Sequence, residues 1–569
     1  MAASSAAASA APTDAGAGAC NIAAVLPRMA AAAPERIALR CPGRHRNLHG
    51  FARYDLALTY AELDRRSDAI AAGLARCGIV RGMRTVVMVR PGPEFFLVMF
   101  ALFKAGVVPV LVDPGIDKRA LRQCLAEAEP HAFIGIPLAQ TARVLLRWAT
   151  SATIQITVGA RLPWGGPTLA QVEAAGVGAA SQLVATMPDE VAAILFTSGS
   201  TGVPKGVVYR HRHFVAQVDM LRDAFGMAAG GVDLPTFPPF ALFDPALGLT
   251  GVIPDMDPTR PAKADPRRLH DAIARFGATQ LFGSPALLKV LAAHGAPLPT
   301  IRTVTSAGAP VPAATVARMR ELLPADAQVW TPYGATECLP VAAIESRELA
   351  ATRAMTERGF GTCIGRPVAG NSVRLIQVTD AAIAGWDEAV EVADGEVGEI
   401  TVAGPTATDA YFNRPEATAL AKIAERTAAG TRIVHRMGDL AWRDGEGRLW
   451  FCGRKAHRVE SGTGPLYTDQ VEPIFDLHPE VRRTALVGVG RRGAQRPVLC
   501  VELEAGVDAA RHWRRIEAEL LELGGSHLRS APVRTLLRHP RFPVDIRHNA
   551  KIGREALAAW AAKRLPRPA

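Results

Sequence analysis

The chain has 569 residues, 49% of them hydrophobic, and a formal net charge of +11. That length exceeds what a single core supports, so at least two domains are expected. No apolar run approaches the roughly 20 residues that span a bilayer, and no nucleic-acid-binding motif accompanies the positive charge, which excludes those two classes.

Residues 1–18 are rich in Ala and Ser, with no basic residue and no strong apolar core, so residues 1–20 read as a disordered tail and not as a secretory signal. Apolar β-type runs then alternate with helical stretches as far as about residue 340. Strands are predicted at 85–89, 107–112, 132–136 and 153–158, and helices at 61–77, 93–105 and 117–128. This alternation predicts βαβ units and a mostly parallel sheet. The buried-strand run 191–196 leads into Thr197, Ser198, Gly199, Ser200, Thr201, Gly202, Val203, Pro204, Lys205 and Gly206. Residues 207–225 mix apolar and polar positions at helical spacing, which predicts a helix directly after this loop. Glycines let the backbone approach a polyanion, and the hydroxyls, free amides and Lys205 ammonium suit phosphate. The loop is not a Walker loop, since only two residues separate Gly202 from Lys205 and no Ser or Thr follows the lysine.

Further along, Phe237, Phe240, Phe243 and Leu249 form an apolar set able to line an acyl pocket. A Gly-Pro turn runs from Ser306 through Gly308 and Ala309 to Pro310. Thr331 to Glu337 then brings an aromatic ring (Tyr333), a permissive glycine (Gly334), a hydroxyl (Thr336) and a carboxylate (Glu337) to a strand end. From residue 361 to 450 the strands lie closer together and are Gly-rich, which suits a smaller antiparallel element. Asp439 follows in Met437-Gly438-Asp439-Leu440, Arg454 ends Phe451-Cys452-Gly453-Arg454, and Lys551 lies in the basic segment 547–552. The remainder reads as a short α+β unit ending in a helix over 553–563. Eight scattered cysteines, with no metal spacing, fit a reducing cytoplasm.

The loop at 197–206 resembles the phosphate loop of the adenylate-forming enzymes, the superfamily of acyl-CoA synthetases, peptide-synthetase adenylation domains and luciferases. Four later segments resemble that family's motifs in the same order, over nearly the whole chain. The resemblance implies an α/β fold: a large N-terminal domain of stacked α/β layers with a smaller antiparallel element (21–454), plus a small mobile α+β lid (455–569). It implies ATP and Mg²⁺ as cofactors. Thr197, Ser198, Gly199, Ser200, Thr201, Gly202 and Lys205 would bind phosphates. Ser306, Gly308, Ala309, Tyr333 and Gly334 would cradle adenine, with Asp439 and Arg454 at the ribose. Thr336 would touch the α-phosphate, Glu337 would bind Mg²⁺, and Lys551 would reach the carboxylate and α-phosphate. Met437 stands where the family usually has Thr, and Ala456 where it often has Asp.

The segments 237–261 and 333–340 resemble the β-lactone synthetases of bacterial long-chain olefin biosynthesis, with Ala241 where many acyl-CoA ligases carry His. That resemblance implies activation of a 2-alkyl-3-hydroxy fatty acid as acyl-AMP, then ring closure by its 3-hydroxyl. It also implies a β-lactone decarboxylase and other pathway enzymes as partners, with peripheral membrane contact and no nucleic acid. A long-chain acyl-CoA synthetase is the alternative. No base for the 3-hydroxyl is assigned; His211, His213 and His435 lie near the motifs.

Overall fold

The computed structural model describes residues 19–113, 115–197, 204–544 and 552–565. It is a mixed α/β fold. Five strands, Ile154–Thr157, Ala132–Gly135, Arg84–Met88, Val108–Val112 and Val191–Thr197, lie side by side in parallel, with helices crossing between them. Short β-branched runs followed by amphipathic stretches make this architecture, because each strand must be covered on both faces. The predicted strands and helices of this region all appear, within one or two residues at each end.

The segment after the phosphate loop differs from expectation. Lys205–Arg210 is a sixth strand, antiparallel to Val191–Thr197, and the helix begins only at His211 (His211–Phe225). Residues 206–209 are all buried, and a short apolar run buried on both faces has no period that separates strand from helix. The loop therefore joins two paired strands, with Thr197 opposite Lys205 in register.

A larger sheet packs beside the first. One half, Gln328–Ala335, Thr303–Thr305, Gln280–Phe282, Val232–Pro235, Thr250–Val252 and Ile37–Cys41, is parallel. The other half continues from Cys338–Glu345 through Thr362–Pro367, Leu449–Arg454, Gly430–Arg443 and Gly398–Ala403 as antiparallel neighbours. Helix Pro93–Lys104 shares one apolar core with side chains of both sheets, and it is buried from Phe95 onward. Its buried Lys104 ends on Asp64 (2.6 Å) and Asp68 (3.0 Å), which offsets the cost of removing a cation from water.

Beyond Arg454 the chain builds a three-stranded sheet, Val481–Val489, Arg496–Leu503 and Leu536–Arg538. Helices Thr468–Phe475, Ala509–Gly525 and Arg554–Ala562 cover it and close two separate apolar cores. Its contacts with the rest include Arg458–Asp380 (2.8 Å), Arg492–Asp380 (3.0 Å) and Lys455–Glu399 (2.9 Å).

Candidate active site

Two hairpins bring the motifs together. In the first, strand Lys205–Arg210 hydrogen-bonds to the segment at 410–412: Val208 N donates to Ala410 O (3.1 Å) and Phe412 N to Gly206 O (2.7 Å). That places the Tyr411 ring beside Lys205, whose ammonium lies 4.8 Å from the ring centroid. The second hairpin turns at Thr336 and Glu337, where Ala335 pairs with Cys338. A Cβ on Gly334 would lie 2.8 Å from Cys338 O, so this turn closes only around glycine. Tyr209 Oη donates to Thr336 O (2.6 Å), and Thr408 N and Oγ1 donate to Glu337 O (2.8 and 2.9 Å).

The Glu337 side chain points back to the first hairpin. Its Oε1 accepts from Tyr411 Oη at 2.7 Å. Its other oxygen accepts no hydrogen bond among the described residues, which leaves a carboxylate lone pair of the kind Mg²⁺ binds. Tyr411 thus links the loop lysine to the proposed metal carboxylate. Beneath it, buried Lys422 donates to Thr408 O and, at 3.2 Å, to Thr408 Oγ1. Burial lowers its pKa to about 8, against the pull of Glu337.

Asp439 and Arg454 face each other across the paired strands Gly430–Arg443 and Leu449–Arg454. Tyr333 Oη donates to Asp439 Oδ2 at 2.5 Å. Arg454 Nε lies 3.0 Å from Oδ1, but at an angle that completes no hydrogen bond, so Oδ1 is a buried acceptor without a donor. A buried oxygen of this kind is costly unless a ligand satisfies it, and a ribose hydroxyl has the matching donor. Burial raises the Asp439 pKa, and Arg454 and Tyr333 oppose that rise; Asp439 in turn raises the pKa of Arg454. Glu337 is near enough to act on both groups. The residue after Arg454 is held too: Lys455 Nζ bonds buried Glu399 (2.9 Å), which also takes Arg436 Nη2 at 2.6 Å.

On the neighbouring strand, Ser306 N donates to Trp330 O (3.0 Å), while its buried Oγ has no partner. Gly308 follows at φ +95°, a conformation that suits glycine, and Ala309 is half-buried. Ser198, Gly199, Ser200, Thr201, Gly202 and Lys551 lie outside the described residues.

A largely apolar pocket opens beside the second hairpin. Pro332, Leu339 and Pro340 flank that turn, and Phe240, Phe243 and Phe282 continue the wall. Phe237 packs edge-on against Phe240 (5.1 Å), and Phe240 against Phe282 (4.5 Å). Two acids also line the pocket. Asp233 sits on strand Val232–Pro235, in register with Gly251 and Gln280, and Asp244 opens the short helix Asp244–Leu247. Their carboxyls are buried and hydrogen-bond to each other, and Asp244 Oδ2 and Gln280 Oε1 have no partner. A Cβ on Gly251 would stand 2.5 Å from Asp244 Oδ2, so glycine makes the room this carboxyl fills. Burial raises both pKa values, that of Asp233 to about 7 and that of Asp244 further with Asp233 beside it, so the pair holds a proton near neutrality.

Of the three histidines, none lines this pocket. His211 and His213 are buried, and burial lowers them to about 4 and about 3; His435 is also pushed down by burial and by Lys422. Sequence reading missed Tyr411, Lys422, Asp233 and Asp244. The acids carried one available signal, since each stands in an otherwise apolar stretch.

The AMP-binding enzyme family matches residues 26–412. An olefin β-lactone synthetase from Xanthomonas campestris pv. campestris is 70% identical over 96% of this chain and 98% of its own. One from Stenotrophomonas maltophilia is 66% identical, covering 97% and 99%. Among solved structures, an amide bond synthetase from Marinactinospora thermotolerans superposes with a TM-score of 0.75 at 23% identity, covering 95% of this chain and 99% of that one.

Proposed function

The chain belongs to the AMP-binding enzyme family, and on that premise we infer that it is an ATP-dependent olefin β-lactone synthetase. The observation that carries this reading is 70% identity to a β-lactone synthetase over 96% of this chain and 98% of that one.

The carboxylate of a 2-alkyl-3-hydroxy fatty acid attacks the α-phosphorus of ATP, and pyrophosphate leaves. The 3-hydroxyl oxygen then bonds to the acyl carbon, the acyl C–O bond breaks, AMP departs and the hydroxyl proton is released. A β-lactone ring resists closure from a free carboxylate, so AMP serves as the leaving group, and the internal nucleophile gains from proximity.

We assign the residues as follows. Thr197 to Gly202 and Lys205 hold the phosphates. Ser306, Gly308, Ala309, Tyr333 and Gly334 cradle adenine, and Asp439 Oδ1 takes a ribose hydroxyl with Arg454 beside it. Thr336 meets the α-phosphate. Glu337 holds Mg²⁺, which when bound neutralises triphosphate charge. Lys551 draws the two anions together and stabilises charge on the α-phosphorus. Phe240 and Phe243 bound the acyl pocket, with Phe237 packed against Phe240, and the proton held by Asp233 and Asp244 lowers the charge beside it. We place the lid boundary after Arg454, at residues 455–569.

The eight cysteines are free thiols, which supports a reducing cytoplasm. A β-lactone is reactive, so an enzyme that consumes it, a β-lactone decarboxylase, is the partner we propose.

The test is product analysis with Mg-ATP and the hydroxy acid, with and without coenzyme A. The expected products are β-lactone and AMP in equal amounts, unchanged by coenzyme A. An acyl thioester formed only with coenzyme A would make the protein an acyl-CoA synthetase instead.

A further inference from the structure

One face of the molecule exposes apolar side chains that no part of the reaction uses. Helix Pro137–Leu145 joins Ala132–Gly135 to the edge strand Ile154–Thr157. Leu138 and Leu145 are seven residues apart and therefore share one helix face, yet they are 68% and 74% exposed. Val144 and Leu146 flank them, also exposed. The loop at 158–167 brings a fifth group, Trp164, at 46% exposure. Arg143 ties this loop to the helix, with Nη2 donating to Trp164 O at 3.0 Å. Exposed leucines along one helix with a tryptophan on the loop tied to it are more than scattered surface hydrophobicity.

The charged side chains Asp, Glu, Lys and Arg within this stretch of chain are of one sign. Residues 130–172 contain no Asp or Glu, while Arg143, Arg147 and Arg161 fall within them. None of the three has a carboxylate partner among the described residues, and Arg147 and Arg161 are exposed. Apolar side chains with a tryptophan and an arginine rim are the chemistry of a segment that lies in a bilayer interface, its rings and leucines among the acyl chains and its guanidiniums among anionic headgroups. A protein partner would be expected to present its own carboxylates to these arginines, whereas an anionic lipid surface supplies negative charge over any orientation.

We propose that the helix Pro137–Leu145 and the Trp164 loop form a docking face for an anionic lipid bilayer. The contact is peripheral, since no helix among the described residues is long and apolar enough to cross a membrane. The face lies at the sheet edge opposite the hairpin that carries the phosphate loop. Substitutions here therefore leave the adenylation site intact. The inference rests on this surface alone and holds whatever product the enzyme makes.

The test is co-sedimentation of the full chain with vesicles of phosphatidylcholine containing 30% phosphatidylglycerol, beside pure phosphatidylcholine. The wild type is expected to bind the anionic vesicles about tenfold more tightly and to lose most of that preference in high salt. Leu145→Asp with Trp164→Ser should lower binding to the anionic vesicles at least about tenfold, and Arg147→Glu with Arg161→Glu should abolish the preference for them. Both variants should release pyrophosphate at the wild-type rate from substrate below its micellar concentration, which shows that they fold. A wild type that binds neither vesicle overturns the proposal. So does a Leu145→Asp/Trp164→Ser variant that binds unchanged, or one whose only change is a smaller oligomer in sedimentation, which would make this face an interface between copies of the chain.

Discussion

The nucleotide side and the acyl side of the site both bury carboxylates, and they treat them oppositely. On the nucleotide side each acid has a counterpart: Asp439 has Arg454 and Tyr333, Glu337 has Tyr411, and Glu399 has Arg436 and Lys455. In the apolar pocket Asp233 and Asp244 face each other with no cationic partner among the described residues, and hold a proton. Under the proposed assignment, charge is kept where a triphosphate would be held and lowered where an alkyl chain would lie. The residue type is the same, and the neighbours decide its state.

The largest expected effect falls on the nucleotide side. Lys551→Ala should cut pyrophosphate release about 100-fold, the scale of losing one charge-stabilising group in flight. ATP-pyrophosphate exchange measures it, and an unchanged rate would remove Lys551 from the reaction. Next, Asp439→Ala should raise the KM for ATP about tenfold by removing a charged hydrogen-bond acceptor, with little change in the KM for the acid.

The acyl side responds to pH. Both acids have folded pKa values raised above the unfolded value of 3.8, so the folded state keeps a proton that the unfolded chain gives up. The stabilising contribution of Asp233 is complete below about 4 and is lost as pH rises through about 7, and that of Asp244 is lost at higher pH. The KM for the acid should climb over the same upper range, as charge appears beside the chain. Asp233→Asn/Asp244→Asn should flatten both trends in thermal melts and in KM profiles; a double variant with the wild-type slope would place the titration elsewhere. The smallest effect belongs to Tyr411→Phe, which should weaken Mg²⁺ dependence only several-fold, the worth of one hydrogen bond to a carboxylate. A metal titration of activity reads it.

These effects follow how the site was legible in the sequence. The nucleotide side is written in contiguous stretches, 197–206, 331–337 and 437–440, because glycine-bearing turns and their hydroxyls must be neighbours along the chain. The parallel strands and amphipathic helices were legible for the same local reason. The acyl-side acids were not, because Asp233 and Asp244 meet only when a strand and a short helix pack, and nothing local marks either as half of a pair. Tyr411 was missed likewise, since its place beside Lys205 and Glu337 comes from pairing with a strand some 200 residues earlier. Residues 207–210 of strand Lys205–Arg210 read as helix because burial on both faces erases the strand's alternation.

The central claim is that the carboxylate, and not the hydroxyl, is activated by ATP. Both routes would give a β-lactone and AMP, and only the fate of oxygen separates them. The decisive measurement is mass spectrometry of AMP formed from substrate carrying ¹⁸O in both carboxylate positions. Carboxylate activation puts one ¹⁸O into the AMP phosphate and leaves one in the lactone. AMP free of label, with both ¹⁸O atoms in the lactone, would mean that the 3-hydroxyl leaves and the carboxylate attacks, and would contradict the account.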